Sequence, residues 1–422
     1  MSNGSDRGES PGGGAGDGES APSGSDSIDP ETLATRLRAG ESVSVLDVRD
    51  RDEFERWHVE GRGVETVQVP HVRFIQAEVT GNVDDLVEDL EEPILAVCGR
   101  GEASDHAVSL LREADIDARN LAGGMDAWAD LYLARELEVD APATIVQYDR
   151  PSSGCLAYLI VSGDEAAVID PLRAFADRYV ADAAARGADL RYAIDTHVHA
   201  DHVSGVWKLA ARDEADDADD ADDADDEGDG EGATARPILP AGALDRGLAF
   251  DATLLEDGEE LRIGDATLTA VATPGHTSES VSYRLGDDAV LFTGDALFLD
   301  GVGRPDLEEG RDAAAAAEQL YETLRKRVLS FPHGTVVAPG HYGDAEVAGP
   351  DGPYVDELGA IESRLETLSV GREEFVARVA GDLPPRPNQD ERIVRVNLGL
   401  ESVDDEAAFE LELGPNNCAV GG

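Results

Sequence analysis

Cysteine and lysine are both scarce in this chain. Among 422 residues there are three cysteines, Cys98, Cys155 and Cys418, and two lysines, Lys208 and Lys326. Three widely spaced cysteines make no disulfide framework, and without a CxxC pair they make no zinc ribbon. No apolar run approaches the length of a membrane span. The first stretch, "MSNGSDRGESPGGGAGDGESAPSGSDS", lacks the basic and hydrophobic regions of a signal peptide, so a cytoplasmic protein is expected. Positive charge is short as well: Lys+Arg 34 stand against Asp+Glu 90, a formal net charge of −56. A surface this acidic repels nucleic acid and anionic membranes, and neither is expected as a partner. Acidity spread through every segment reads as a halophilic adaptation to high intracellular salt, where screening makes self-repulsion tolerable. It describes the setting rather than the substrate.

The length allows two or three domains with real cores. Residues 1–27 are Gly, Ser and acidic, and a disordered tail is expected. Order begins at "IDPETLATRLRAG", where Asp29 suits an N-cap, Pro30 the first helical position and Gly40 the helix end. Short apolar strands ("SVSVLDV", "PILAVCG", "DARNLAG") alternate with helical patterns such as "SDHAVSLLREA", which predicts an α/β domain over 28–135. From about 143 the pattern changes to alternating strands joined by Gly and Asp turns, a second domain over 143–355. Within it, 213–232 ("DEADDADDADDADDEGDGEG") is a low-complexity acidic insert that builds no core and reads as a surface loop. The Ala-rich stretch "RDAAAAAEQLYETLRKRVLSF" and then "DELGAIESRLETL" are predicted helices, the latter in a C-terminal extension over 356–422.

Histidine is concentrated. Five of the nine histidines lie in short motifs after predicted strands: His197, His199 and His202 in "THVHADH", His276 in "ATPGHT" and His341 in "VAPGHY". Asp201 belongs to the first motif, and Asp295 sits in the similar turn "FTGDAL". In an extended segment His197 and His199 point the same way, while Asp201 and His202 fan to another side. Imidazoles and carboxylates gathered at strand ends are ligands for zinc, iron or manganese.

In this order, "THVHADH", "PGHT", "TGDAL" and "PGH" resemble the metallo-β-lactamase superfamily over about 143–345, which implies an αββα sandwich with a metal site at one edge. "FLDGVGRPDL" and the tail "EEFVARVAGDLPPRPNQDERIVRVNLG" resemble the persulfide dioxygenases. That resemblance implies one Fe(II) per chain on His197, His276 and Asp295, with positions open for O₂ and a persulfide sulfur. His199, Asp201, His202 and His341 then surround the ligands and orient them. It also implies that Arg304 meets the carboxylate of the thiol, with an internal salt bridge as the other reading. Tyr342 follows the last histidine where those enzymes have Asp-Tyr, which bears on its role with the thiol. The rival resemblance is to glyoxalase II-type thioester hydrolases, which use all seven residues around two zinc ions. Those enzymes usually continue PGHT with Gly-His, where this chain has Glu279–Ser280.

"PILAVCGRGEASDHAVSLL" is a strand, a loop opened by Cys98, and a helix. Backbone N–H groups beside a helix start stabilise an anion on sulfur and activate the thiol. With "LDVRDRDEFERWHVEG" and "NLAGGMDAW", this stretch resembles the rhodaneses over 28–135. The resemblance makes Cys98 the sulfur carrier and Gly99, Arg100, Gly101, Glu102 and Ala103 its cradle. Many rhodaneses end this loop with Arg where Ala103 stands. Asp47, Arg49 and His58 read as structural, Cys155 and Cys418 as ordinary apolar or terminal residues.

The combined expectation is a dioxygenase that oxidises a small-molecule thiol persulfide with O₂ to sulfite, fed by sulfur transfer at Cys98, with homodimerisation left open. A dinuclear thioester hydrolase with a rhodanese appendage is the alternative. A non-enzymatic persulfide carrier or sensor is the third reading.

Overall fold

The computed structural model describes residues 27–211, 235–343, 352–381 and 383–421. The Gly/Ser tail up to residue 26 and the acidic insert 213–232 lie outside the described residues.

The first domain is a parallel sheet of five strands in the order Ser27–Ile28, Ala118–Leu121, Ile94–Val97, Val43–Asp47, Val64–Gln68. Its central strands are apolar on both faces, as a sheet covered on both sides requires. Val45, Leu95 and Val97 pack with Leu33 and Met125 of the helices Pro30–Arg38 and Gly124–Asp130. The alternate residues Leu46, Ile94 and Ala96 pack with Phe74 and Leu111 of the helices His71–Thr80 and Glu102–Glu113. Asp29 caps the first helix as its sequence position predicts, accepting the Thr32 N–H at 2.7 Å.

Two further sheets lie face to face. The seven-stranded one runs Thr253–Leu255, Arg236–Pro240, Asp189–Ile194, Glu165–Ile169, Cys155–Ser162, Thr144–Arg150, Leu133–Glu136. The six-stranded one runs Glu260–Ile263, Ala266–Ala272, Val281–Leu285, Val290–Gly294, Val336–Pro339, Asp356–Glu357. Leu156, Tyr158 and Ile160 of one sheet meet Leu268, Tyr283 and Phe292 of the other in the largest core. The intervening Ala157 and Leu159 face outward, onto Tyr179 and Ala183 of the helix Ala176–Ala185. The predicted Ala-rich helix, Ala313–Lys326, covers the second sheet through Ala317, Leu320 and Leu324. The result is the αββα sandwich expected from the motifs.

Two boundaries differ from the sequence reading. Leu133–Glu136, placed in the first domain, pairs antiparallel with Thr144–Arg150 and so forms the edge of the second sheet. "DELGAIESRLETL" is not one helix: Asp356–Glu357 completes a sheet edge against Val336 and Val337, the helix is Leu358–Arg364, and Leu365 is extended. Backbone pairing overrides helix propensity at Asp356–Glu357 and decides at Leu133–Glu136 which sheet the strand joins.

The C-terminal extension ties the parts together. Arg150, 1% exposed, donates from Nε to the Ala129 carbonyl of the first domain at 2.9 Å. Its Nη1 donates to Glu412 of the extension at 2.8 Å. The other oxygen of Glu412 accepts the Val203 N–H at 3.0 Å, next to the histidine-rich loop. A single buried ion pair therefore touches all three parts of the chain.

Candidate metal centre and cysteine loop

The histidine motifs converge because the strands carrying them end at the same edge of the sandwich. His197 follows Asp189–Ile194, His276 follows Ala266–Ala272, Asp295 follows Val290–Gly294 and His341 follows Val336–Pro339. Close packing at this edge demands glycine, at Gly294 and Gly340 among other positions. Gly294 has φ +49°, and a Cβ there would meet Thr196 Oγ1 at 2.5 Å; at Gly340 it would meet Asp295 Oδ1 at 2.7 Å.

His197, His276 and Asp295 each bring one donor atom within 4.8 Å of the others. His276 Nε2 lies 3.5 Å and His197 Nε2 3.8 Å from Asp295 Oδ2. None of the three is more than 2% exposed. His197 Nε2 and Asp295 Oδ2 have no hydrogen-bond partner among the described residues. A buried carboxylate oxygen and imidazole nitrogen left in this state are costly unless a ligand completes them. Two imidazoles and one carboxylate facing one another suit Fe(II), and the same donors also bind zinc.

The surroundings orient these donors. His276 Nδ1 donates to the Arg304 carbonyl at 2.8 Å, which directs its Nε2 lone pair at Asp295. His197 Nδ1 meets Thr196 Oγ1 at 2.9 Å, and Thr196 donates in turn to Asp170 Oδ2 at 3.0 Å. His341 bridges two carboxylates, with Nδ1 2.7 Å from Asp295 Oδ1 and Nε2 2.7 Å from Asp201 Oδ2. Burial alone would pull His341 down, yet Asp295 and Asp201 hold it well above the usual imidazole range. Burial also opposes ionisation of Asp295, but His341, then His197 and His276, hold its carboxyl below the usual range. Burial, with His199 adding to it, keeps His197 well below the usual range, and burial lowers His276 too. Neutral imidazoles beside an anionic carboxylate are the states that bind a cation.

The rest of the "THVHADH" motif divides. His199, expected to point with His197, turns its Nε2 to Asp170 Oδ1 at 3.2 Å, and its Nδ1 has no partner among the described residues. His202 Nδ1 lies 3.1 Å from Asp201 Oδ2; its Nε2 and Asp201 Oδ1 have no partner among the described residues either. Burial and His199 push His202 down, but Asp201 overcomes both and leaves it raised to about 9. Asn397, in the tail motif "VNLG", donates to the carbonyls of His199 and His202 at 3.0 and 2.9 Å, so the extension clamps this loop.

Three sequence readings are bounded by these contacts. Arg304 is 1% exposed and donates all five N–H groups within the protein: to both oxygens of Asp306, at 2.7 and 3.0 Å, and to the carbonyls of Pro384, Pro385 and Asn417. The pair with Asp306 is the internal salt bridge that was one of the two readings of this residue. Cys155 is no ordinary apolar residue, since its Sγ donates to Asp201 Oδ2 at 3.3 Å. Cys418 brings its sulfur within 4.8 Å of donor atoms of Asp295 and His341. A lone cysteine outside any motif carries no signal of such a position. Asp170 and Glu412 were missed for the same reason.

Tyr342 turns away from this cluster. Its hydroxyl donates to Asp149 at 3.0 Å and its ring stacks on Tyr354 with centroids 3.7 Å apart. It lines a cavity of about 350 Å³ walled by both domains and the extension, among them Arg38, His58, Arg62, Arg135 and Asn417.

In the first domain, Cys98 Sγ accepts the Gly101 N–H and the Ser104 hydroxyl, both at 3.1 Å. Gly101 belongs to the expected cradle; Ser104, just beyond it, was missed. Gly101 has φ +95°, and Gly124 packs so closely that a Cβ would meet the Cys98 carbonyl at 2.3 Å. Arg100, with a side chain 82% exposed, pairs with Asp126 at 3.3 Å. Glu102 opens the helix and Ala103 follows it. Asp47 and Arg49 form a buried fork, 2.6 Å at its shorter arm.

Among the described residues no helix is long and apolar enough to cross a membrane. Family models match the metallo-beta-lactamase superfamily over residues 151–341 and a rhodanese-like domain over 29–131. The human mitochondrial persulfide dioxygenase ETHE1 is 31% identical over 264 residues, covering 61% of this chain and 89% of that protein. A hydroxyacylglutathione hydrolase of Methylococcus capsulatus is 33% identical over 235 residues, 53% of this chain and 79% of that one. The crystal structure of a metallo-beta-lactamase from Staphylococcus aureus shares the fold at a TM-score of 0.50 and 23% identity, over 61% of this chain and 73% of its own. Fold, motif order and relatives agree: this chain belongs to the metallo-β-lactamase superfamily, as a rhodanese-like domain fused to a metallo-β-lactamase-fold domain of the persulfide dioxygenase type.

Proposed function

We propose that this chain is an iron-dependent persulfide dioxygenase, supplied with sulfur by Cys98. The reaction is RSSH + O₂ + H₂O → RSH + sulfite + 2 H⁺; the outer sulfur is oxidised, O₂ is reduced, and the thiol is released unchanged. One observation carries the reading. His197 Nε2, His276 Nε2 and Asp295 Oδ2 face one another while both nitrogens of His341 are engaged with carboxylates, which supports a single three-donor site. Fe(II) on those three atoms would supply the one-electron chemistry by which O₂ reacts with sulfur, with positions left for both.

The chain's own residues do the rest. The Arg304 carbonyl fixes the orientation of His276, and His341 holds Asp295 in its anionic form. Burial excludes bulk water from the reacting sulfur. The protonated His341, between Asp295 and Asp201, can hold a proton that the thiol product needs. Cys98, cradled by Gly101 and Ser104, would take sulfane sulfur from a donor and pass it to a small thiol.

The dinuclear hydrolase reading is favoured by the unpartnered His199 Nδ1, His202 Nε2 and Asp201 Oδ1 and by the hydrolase relative. Protein purified without air and given ferrous salt separates the two. The dioxygenase reading expects about one iron per chain and O₂ uptake with sulfite formation on adding a thiol persulfide. Hydrolysis of a lactoyl thioester, with no O₂ consumed on persulfide, would establish the hydrolase instead.

A further inference from the structure

Cys98 opens onto a cavity of about 430 Å³, walled by the loop, the start of the helix Arg51–Arg56 and the helix His71–Thr80. Three carboxylates stand in that wall: Asp50, Glu53 and Glu102. Two arginines oppose them and neither is well placed to help an anion. Arg49 is 7% exposed and forked onto Asp47. Arg100 lies in solvent beside Asp126. His71 adds no charge near neutral pH, because burial, and then His106 at 2.9 Å, hold it below the usual imidazole range. Val72 and Ile75, 52% and 47% exposed, give the remaining wall an apolar surface. Ala103, at the end of the loop, adds no charge to the wall.

We propose that this pocket selects sulfur donors by charge: it takes sulfane sulfur from persulfides whose neighbouring groups are neutral or cationic, and turns away donors with an anion beside the sulfur, thiosulfate included. The proposal rests on Cys98 being the sulfur carrier. In the transfer, the Cys98 thiolate attacks the outer sulfur of R–S–S⁻. A new S–S bond forms on Sγ, the donor S–S bond breaks, and its electron pair leaves with R–S⁻. The exchange needs no oxidant. Gly101 N–H and the Ser104 hydroxyl stabilise charge on the sulfur. A sulfonate or carboxylate arriving with the donor meets Glu102, Glu53 and Asp50 instead of a cation.

The test uses full-length protein without air, so that a transferred sulfur is not oxidised. Loading is followed by the mass gained on the Cys98 peptide, with the persulfides of cysteamine, 2-mercaptoethanol and mercaptoacetate, and with thiosulfate. Rates are expected to fall in that order, with about tenfold between the cationic and anionic persulfides, and added salt narrows the gap. E102Q and E53Q, the latter keeping a side chain able to accept the Asp50 N–H, should raise the rate with the anionic donors several-fold relative to the rate with 2-mercaptoethanol persulfide. Equal rates for the three persulfides, or no response in either variant, would overturn charge selection alone. Failure of every donor to load Cys98 would overturn the carrier reading, and the selection with it.

Discussion

The two reactive regions of this chain are built in opposite ways. The candidate metal cluster of His197, His276, Asp295 and His341 is assembled from four strand ends far apart in sequence, and these four are at most 2% exposed. The cysteine loop is a local device: one strand, four residues and a helix start place Gly101 N–H and the Ser104 hydroxyl on one sulfur, beneath an open cavity. Burial lets fixed charges act at full strength, so the cluster can hold His341 protonated between two carboxylates. At the loop, solvent screens charge, and recognition depends on what lines the cavity. A buried cluster and an open loop are thus separated within one chain.

The sharpest way to break this comparison is to remove one donor. H276A should lose its metal and its O₂ uptake, by more than the roughly 100-fold that loss of a supporting group costs. Loading of Cys98 in the same variant should be unchanged. If both fall together, the two regions are not independent. C98S is the reverse experiment: sulfur transfer disappears, while O₂ uptake with a pre-formed persulfide stays within about twofold.

A third change probes what the regions share. R150M leaves Glu412 buried without its partner, and unfolding experiments should show a loss of about 3–5 kcal/mol. Replacing Arg150 and Glu412 together by apolar residues should recover most of it. The smallest effect sharpens the picture of the cluster. H341Q keeps all three proposed donors but removes the imidazolium beside Asp295, so metal affinity or turnover should fall about 10–100-fold. An unchanged metal affinity and rate would leave His341 no part in orienting Asp295.

The cluster was legible in the sequence because each ligand type sits in a turn that only a strand end requires; "THVHADH", "PGHT" and "TGD" announce both chemistry and position. Alternating strands between Gly and Asp turns made a second sheet legible, and the αββα sandwich followed from the resemblance that the motifs carry. What escaped was everything fixed by tertiary contact alone. Leu133–Glu136 has no feature that assigns it to one sheet or the other until Thr144–Arg150 pairs with it. The carbonyl contacts of Arg304 depend on segments 80 to 113 residues away, and the approach of Cys155 and Cys418 to the cluster on single residues outside motifs.

The central claim is a mononuclear iron site that uses O₂. Titrating metal-free protein with ferrous ion under argon, then admitting air in the presence of a thiol persulfide, tests it most directly. The account predicts that sulfite formation saturates at about one ion per chain, with one O₂ consumed for each sulfite. Activity that needs two ions, or that proceeds equally well with zinc and without O₂, would contradict it.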